Sequence, residues 1–269
     1  MGFYTVVCST EDTASVNVAN LLINKHGFTK VNDYSFRSKD YSYMQLHLTN
    51  KILLYADEMD EIYPETGCFI FVSQHKSASN IPTLTCHTTG NFNENIYGGK
   101  FREIGICNPW VLKQYLLELN RERDNVPHYD ITLEASHHGP TSLKKPTVFI
   151  EIGSTDREWS DEVAVETLCK ALLKVISQKP NKCEKVAIAL GGNHYPSKFN
   201  RILLESEFGL ASIVARHNLR HLDRTMISQM KFKSAEQVSY AIYDSKGMGI
   251  EKNRVLRLLE DTGLELIRV

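Results

Sequence analysis

The chain has 269 residues, 42% hydrophobic and 23% charged, an ordinary composition for a folded globular chain that excludes disordered, collagenous and membrane-embedded classes. With 31 Lys plus Arg against 32 Asp plus Glu the formal net charge is -1, which excludes a uniformly basic nucleic-acid coat and leaves only local patches. At this size roughly three quarters of the unfolded surface can be buried, so folding requires no covalent or metal staple.

The N-terminal segment reads as strand, cap, helix. Phe3 to Cys8 is apolar and β-prone, Ser9 or Thr10 is placed to cap, Val18, Leu21 and Leu22 form a helical stripe, and Gly27 supplies the stop. Strands are expected at Tyr43 to Leu48, Ile52 to Ala56 and Cys68 to Ser73, with an acidic stretch from Asp57 to Glu65 before the last. Asn108 and Pro109 are an N-cap and first-turn pair for a helix running to about Arg121.

The second half repeats the alternation. It predicts strands at Tyr129 to Ala135, Thr147 to Ile152, Lys185 to Leu190 and Ser212 to Ala215. Helices are predicted at Asp161 to Ser177, Ser197 to Glu207, Ala235 to Tyr243 and Asn253 to Leu259. Such alternation argues an α/β fold with a mixed, mainly parallel sheet covered on both faces. The eight prolines are spread out and no Pro, Gly or Ser-rich linker interrupts the chain, so residues 1–269 read as a single domain, although a split near Asp124 to Pro127 fits the length. Six cysteines (Cys8, Cys68, Cys86, Cys107, Cys169, Cys183) include no C-x-x-C pair, and apolar neighbours of Cys8, Cys68 and Cys169 suggest buried thiols in a reducing compartment. Met1 to Thr5 lead into a strand rather than a signal sequence and no run approaches a membrane span, which predicts a cytoplasmic protein.

Chemistry concentrates where strands end. Glu134-Ala135-Ser136-His137-His138-Gly139-Pro140-Thr141 follows an apolar strand, the position at which open α/β sheets bind ligands. The glycine permits a bend that lets both imidazoles face one cleft, and His137, His138 and Glu134 are a donor set that zinc accepts in hydrolytic sites. Alternatively one histidine bonds the loop backbone and the other is exposed. Gly191-Gly192-Asn193-His194-Tyr195-Pro196 joins a second strand to a helix start, and is either a tight turn capped by His194 or a backbone cradle for a phosphate or oxyanion.

The polar stretch from Ser73 to Asn91 has a histidine on each side of a short strand and suits ribose, phosphate or carboxylate recognition, with Lys76 and His87 the candidate contacts. Arg216, Arg220 and Arg224, followed by Lys231 and Lys233, form a cationic segment that either meets RNA phosphates or is a solvated face. Glu151 is a candidate metal ligand or base, or a dipole partner of the helix that follows. The chain has no G-x-x-x-x-G-K-[ST] loop, G-x-S-x-G elbow, H-E-x-x-H helix, G-x-G-x-x-G fingerprint or H-x-H-x-D-H run.

The segments from Ser136 to Thr141, Phe149 to Thr155 and Gly191 to Pro196, with Val6-Val7-Cys8-Ser9 and the loop from Ser73 to Gly90, together resemble the archaeal and plant-type D-aminoacyl-tRNA deacylases. The similarity covers nearly the whole chain. It implies a three-layer α/β/α fold related to peptidyl-tRNA hydrolases and purine phosphorylases, dependence on zinc, and hydrolysis of the ester joining a D-amino acid to tRNA. Within that expectation, spacing assigns Glu134, His137, His138 and His194 to metal binding and catalysis. Lys76, His87, Gly191, Gly192, Asn193, Lys198, Arg216, Arg220 and Arg224 are assigned to the acceptor end of the tRNA. A monomer is expected. A mechanism without zinc, in which the neighbouring ribose hydroxyl assists water, is the alternative chemistry. Peptidyl-tRNA cleavage, nucleoside phosphorolysis and non-catalytic tRNA binding are the alternative functions.

Overall fold

A computed structural model describes residues 3–178 and 181–269; Met1 and Gly2, at the start of the predicted N-terminal segment, lie outside the described residues. The strands are β1 (Phe3–Ser9), β2 (Thr29–Lys30), β3 (Ser35–Arg37), β4 (Met44–Thr49), β5 (Thr66–Lys76), β6 (Thr83–His87), β7 (Asp130–Leu133), β8 (Thr147–Ser154), β9 (Lys185–Leu190), β10 (Phe208–Val214), β11 (Tyr240–Tyr243) and β12 (Glu265–Arg268). The helices are α1 (Thr13–Lys25), α2 (Met59–Ile62), α3 (Pro109–Arg121), α4 (Asp156–Trp159), α5 (Glu162–Ser177), α6 (Ser197–Glu205), α7 (Arg224–Phe232) and α8 (Lys252–Leu259).

Among the described residues the strands form two sheets, ordered β2-β3-β4-β1-β5-β8-β6-β7 and β10-β9-β11-β12. The smaller is wholly parallel; in the larger, β2, β3 and β6 supply the antiparallel pairings. The expected mixed, mainly parallel α/β architecture is therefore present. One apolar cluster draws Val6, Ile70 and Ile150 of the large sheet together with Ala189, Leu210 and Ile242 of the small one, beneath α1, α3 and α5. Helices α7 and α8 close the other face of the small sheet through Met226, Met230, Val255 and Leu259. On the large sheet that second layer is thin. Phe69, Phe71 and Phe149 are covered there by Leu53, Ala56, Met59 and Leu143, contributed by a 3-10 turn, α2 and a loop.

Alternation along β5 and β8 explains why the site forms on this thinly covered face. Cys68, Ile70 and Val72 point to the helical layer, whereas Phe69 and Phe71 point away and are followed on the same side by Ser73 and His75. In β8, Phe149 is likewise followed by Glu151, and β6 lays His87 opposite Phe149. Aromatic packing thus gives way to polar side chains at the C-terminal ends of the strands.

Local signals account for most boundaries. Asn108 caps α3 by accepting from Val111 N at 3.1 Å, and Asp161 caps α5. The cap of α1 is Asp12 rather than Ser9 or Thr10: its carboxylate accepts from Ser15 N at 2.8 Å, while Ser9 Oγ donates to Lys51 O. Gly27, at φ +66°, ends that helix as expected. Ile52 to Ala56 is not a strand but contains the 3-10 turn Leu53–Tyr55; Leu53 and Ala56 are buried while Ile52 and Tyr55 are exposed, a spacing of three that a short apolar run does not distinguish from β. Ala235 to Tyr243 is not a helix. β11 lies between β9 and β12, and the preceding Glu236 carboxylate is occupied by Trp110 N and Cys183 N. Cys8, Cys68, Cys86, Cys107 and Cys169 are buried thiols. Among the described residues no helix is long and apolar enough to cross a membrane.

Candidate active site

The loop after β7 is clamped by main-chain bonds. Ala135 N donates to His194 O, Ser136 N to Ile213 O, and Gly90 N to the carbonyl of His138 at 2.9 Å. The bend that turns both imidazoles inward lies at His138 itself, in the left-handed region at φ +43°. Gly139 is required for closeness instead: a Cβ there would sit 2.2 Å from Gly99 N and 2.6 Å from Leu54 O.

Three imidazoles converge on this loop. The ring centroids of His87 and His137 are 4.1 Å apart, those of His137 and His138 4.4 Å, and His87 stacks on Phe149. Each Nδ1 meets a main-chain carbonyl: His87 that of Thr88 at 3.1 Å, His137 that of Ala135 at 2.8 Å, His138 that of Gly139 at 2.7 Å. A carbonyl only accepts, so each Nδ1 carries a proton and, in the neutral ring, each Nε2 presents a lone pair. Burial, followed by repulsion from His87, His138 and His194, holds His137 well below the ordinary imidazole range, and burial with repulsion from His87 lowers His138 to about 4. Both therefore remain neutral donors at physiological pH.

Two buried glutamates stand beside them. Glu134 Oε2 lies 2.8 Å from His194 Nε2 and 3.6 Å from His137 Nε2, while Oε1 has no hydrogen-bond partner. Glu151 accepts from Ser73 Oγ at 2.6 Å and from His75 Nδ1 at 3.1 Å, and His75 Nε2 reaches Tyr195 Oη at 2.7 Å. Burial raises the Glu151 carboxyl, but the hydrogen bond with His75 and the attraction of the nearby His87 and His75 rings outweigh it and hold the group well below the usual carboxylate range. Conversely, burial would lower His75 and His87, yet the two carboxylates raise both.

These side chains fit a metal ion. His87, His137 and His138 offer ligand atoms within 4.8 Å of one another; so do Glu134, His137 and His194, and so do His75, Glu134 and Glu151. The buried, unpartnered atoms His87 Nε2 and Glu134 Oε1 are what such a centre would satisfy.

Glu134, His137, His138 and His194 are thus brought together. His87, assigned from sequence to substrate contact, lies among the metal-capable imidazoles instead. Lys76 lines a cleft of about 540 Å³ over the cluster, with Glu11, Asp12, Ile52, Leu53, Leu54 and Tyr97 on its other walls. Gly191 and Gly192, at φ +106° and +77°, turn the chain into His194. Gly192, Asn193, Lys198, Arg216 and Arg220 line a second cleft of about 710 Å³. Arg224 is not part of either cleft; it begins α7 and pairs with Asp261 at 3.0 Å. Sequence reasoning passed over His75 and Tyr195 as site residues. The alternation Phe69, Phe71, Ser73, His75 was the available signal, lost because the strand was ended at Ser73.

An α/β sheet that gathers buried histidines and glutamates at its strand ends places the chain in the class of proteins with side chains able to hold a metal ion there. The family model described as D-aminoacyl-tRNA deacylase matches residues 62–267. A D-aminoacyl-tRNA deacylase of Cenarchaeum symbiosum is 38% identical, covering 79% of this chain and 81% of its own. One of Pyrococcus furiosus is 32% identical over 98% and 99%. A crystal structure described as a conserved protein of unknown function superposes with a TM-score of 0.91 at 29% identity, covering 99% of this chain and 95% of that one. The chain belongs to the D-aminoacyl-tRNA deacylase family.

Proposed function

We propose that the chain hydrolyses the ester between a D-amino acid and the terminal ribose of tRNA, releasing both, at the centre formed by His87, His137, His138, His194, Glu134 and Glu151. The observation that carries this reading is the set of three imidazoles with Nδ1 fixed by main-chain carbonyls and Nε2 turned to a common point beside two buried carboxylates. Zinc held there by His87, His137 and His138, with Glu134 and His194 adjoining, would polarise the ester carbonyl and acidify a water. Glu134 Oε2 accepts from His194 Nε2, which fixes that ring's tautomer and leaves the pair to take a proton from the attacking water and return one to the departing ribose oxygen. Tyr195 Oη, bonded to His75 Nε2, fixes that ring beside Glu151. The aminoacyl ester is already activated, so positioning and charge stabilisation suffice.

Lys198, Arg216, Arg220 and the turn at Gly191, Gly192 and Asn193 are the contacts we assign to the acceptor end. Residues 1–269 act in this reading as one domain and a monomer, in the cytoplasm. The test compares hydrolysis of D-tyrosyl-tRNA with L-tyrosyl-tRNA before chelation, after it, and after zinc is restored, for the wild type and His137→Ala. D-selective cleavage that zinc restores and that His137→Ala abolishes is expected. Cleavage persisting after exhaustive chelation would remove zinc from the chemistry, and none by the folded, zinc-supplied wild type would end the deacylase reading.

A further inference from the structure

The two clefts meet at His194, the residue that lines both. Of the other cluster residues, His137, His138 and Glu151 line only the smaller cleft. An aminoacyl ester branches at the carbonyl: the amino-acid side chain is one carbon away on one side, and the nucleotide begins at the ribose oxygen on the other. Resting on the deacylase reading, we infer that the clefts divide the substrate at His194. The 540 Å³ cleft takes the amino acid, with its side chain on a shelf of Ile52, Leu53, Leu54 and Tyr97. The 710 Å³ cleft takes the terminal nucleotides, with their phosphates on Arg216 and Arg220.

Charge sets the orientation. Glu11 and Asp12 line the smaller cleft against a single lysine, Lys76, a balance that disfavours a phosphodiester there. In the larger cleft the two carboxylates are already matched, Asp244 by Lys198 at 2.8 Å and Glu251 by Arg254 at 2.7 Å. Arg216 and Arg220 meet no carboxylate among the described residues: Arg220 Nε bonds His221, and the Arg216 guanidinium lies against Gly249. The first turn of α6, Ser197 to Phe199, also lines this cleft, and its N-cap, Pro196, supplies no side-chain acceptor.

Apolar surface sets the other half. Ile52 and Tyr97 are 56% and 66% exposed. They stay in place because Tyr97 O accepts from Gly139 N, and because Gly98 packs so closely on Leu54 O that a Cβ would lie 1.9 Å from it. The shelf is therefore bolted to the loop that carries His137 and His138.

The experiment is a double dissociation between R216Q/R220Q and I52A/Y97A, using D-tyrosyl-tRNA and D-aspartyl-tRNA as substrates and uncharged tRNA in a binding assay. All four residues are exposed, so both variants are expected to fold, which thermal melts check. Loss of two charge-assisted phosphate contacts raises KM by about tenfold or more for both substrates alike and weakens uncharged tRNA to a similar degree. It also flattens the logarithmic salt dependence by about 1.4, the value for two contacts to a single strand. The shelf variant leaves uncharged tRNA binding and the salt slope unchanged while lowering the preference for D-tyrosyl over D-aspartyl substrate by about tenfold. The reverse pattern, or neither variant separating the two readouts, would overturn the division. If the wild type binds uncharged tRNA in the arginine-dependent, salt-dependent way but cleaves no D-aminoacyl ester, the deacylase reading fails while the nucleotide cleft stands.

Discussion

Gly139→Ala tests whether closeness at one position holds the imidazole cluster together. The added Cβ would meet only main chain: Gly99 N at 2.2 Å, Gly98 C at 2.5 Å and Leu54 O at 2.6 Å. Ordinary contacts begin near 3.4 Å, so the loop after β7 must separate from the segments holding Tyr97 and Leu54 by roughly 1 Å, with no flexible side chain to yield. Overpacking of this kind costs about 1–3 kcal/mol, or roughly 5 °C in Tm for a chain of this size. A displacement of about 1 Å in reacting groups costs about a hundredfold in rate, and the moving segment carries His137 and His138. Gly192→Ala is the control for stability. Its nearest atom is 3.5 Å away, so only the left-handed φ of +77° is strained, at about 1 kcal/mol. Tm by calorimetry and kcat with D-tyrosyl-tRNA are the readouts. A Gly139→Ala protein with wild-type melting and undiminished kcat would refute the argument that this contact positions the site.

The structure moves His87 into the metal-capable set, so His87→Asn is expected to lower bound zinc, measured by atomic absorption, and to reduce kcat by on the order of a hundredfold or more; retention of both returns His87 to a packing role. Asp12 is expected to give stability a downward slope with pH. Burial, against bonds from the N–H groups of Gln74 and Ser15, raises its carboxyl from 3.8 to about 6. The folded value exceeds the unfolded one, so this contribution is full below about pH 4 and is lost as pH rises through 6, by about 3 kcal/mol. Asp12→Asn lacks that slope, and urea melts from pH 4 to pH 7 should show its deficit narrowing; parallel curves would contradict it. Arg224→Ala removes only an exposed pair with Asp261 and should leave kcat and KM within about twofold, since such pairs contribute little; a tenfold rise in KM would bring α7 into the tRNA contact.

The residues that made the fold legible carry their information locally. Asn108-Pro109, the stripe of α5 and the continuous apolar run Lys185 to Leu190 each name an element without reference to the rest of the chain. Ile52 to Ala56 and Ala235 to Tyr243 were misread because short apolar runs are decided by tertiary partners: a sheet face in one case, the neighbours β9 and β12 in the other. Helix α7 was hidden by its charges, although Met226, Ile227 and Met230 are its buried stripe. Two strand-end motifs pointed to Glu134, His137, His138 and His194. That His87 joins them depends on β6 running antiparallel to β8, which spacing along the chain does not encode, whereas His75 continues the alternation of β5 two residues beyond Ser73.

The three fixed imidazoles also determine how this centre can change. Where a histidine is oriented by a carboxylate side chain, exchanging that partner retunes the basicity of the ring by a single substitution. Here the partners are the carbonyls of Thr88, Ala135 and Gly139, which are present whatever side chains those positions bear. Such a centre is insulated against drift in its supporting residues and equally deaf to adjustment through them. Exchange of the side chains at those three positions leaves the Nδ1 partners in place, so an engineer seeking a different metal preference or working pH would turn to the buried carboxylates Glu134 and Glu151, which face the other side of the rings.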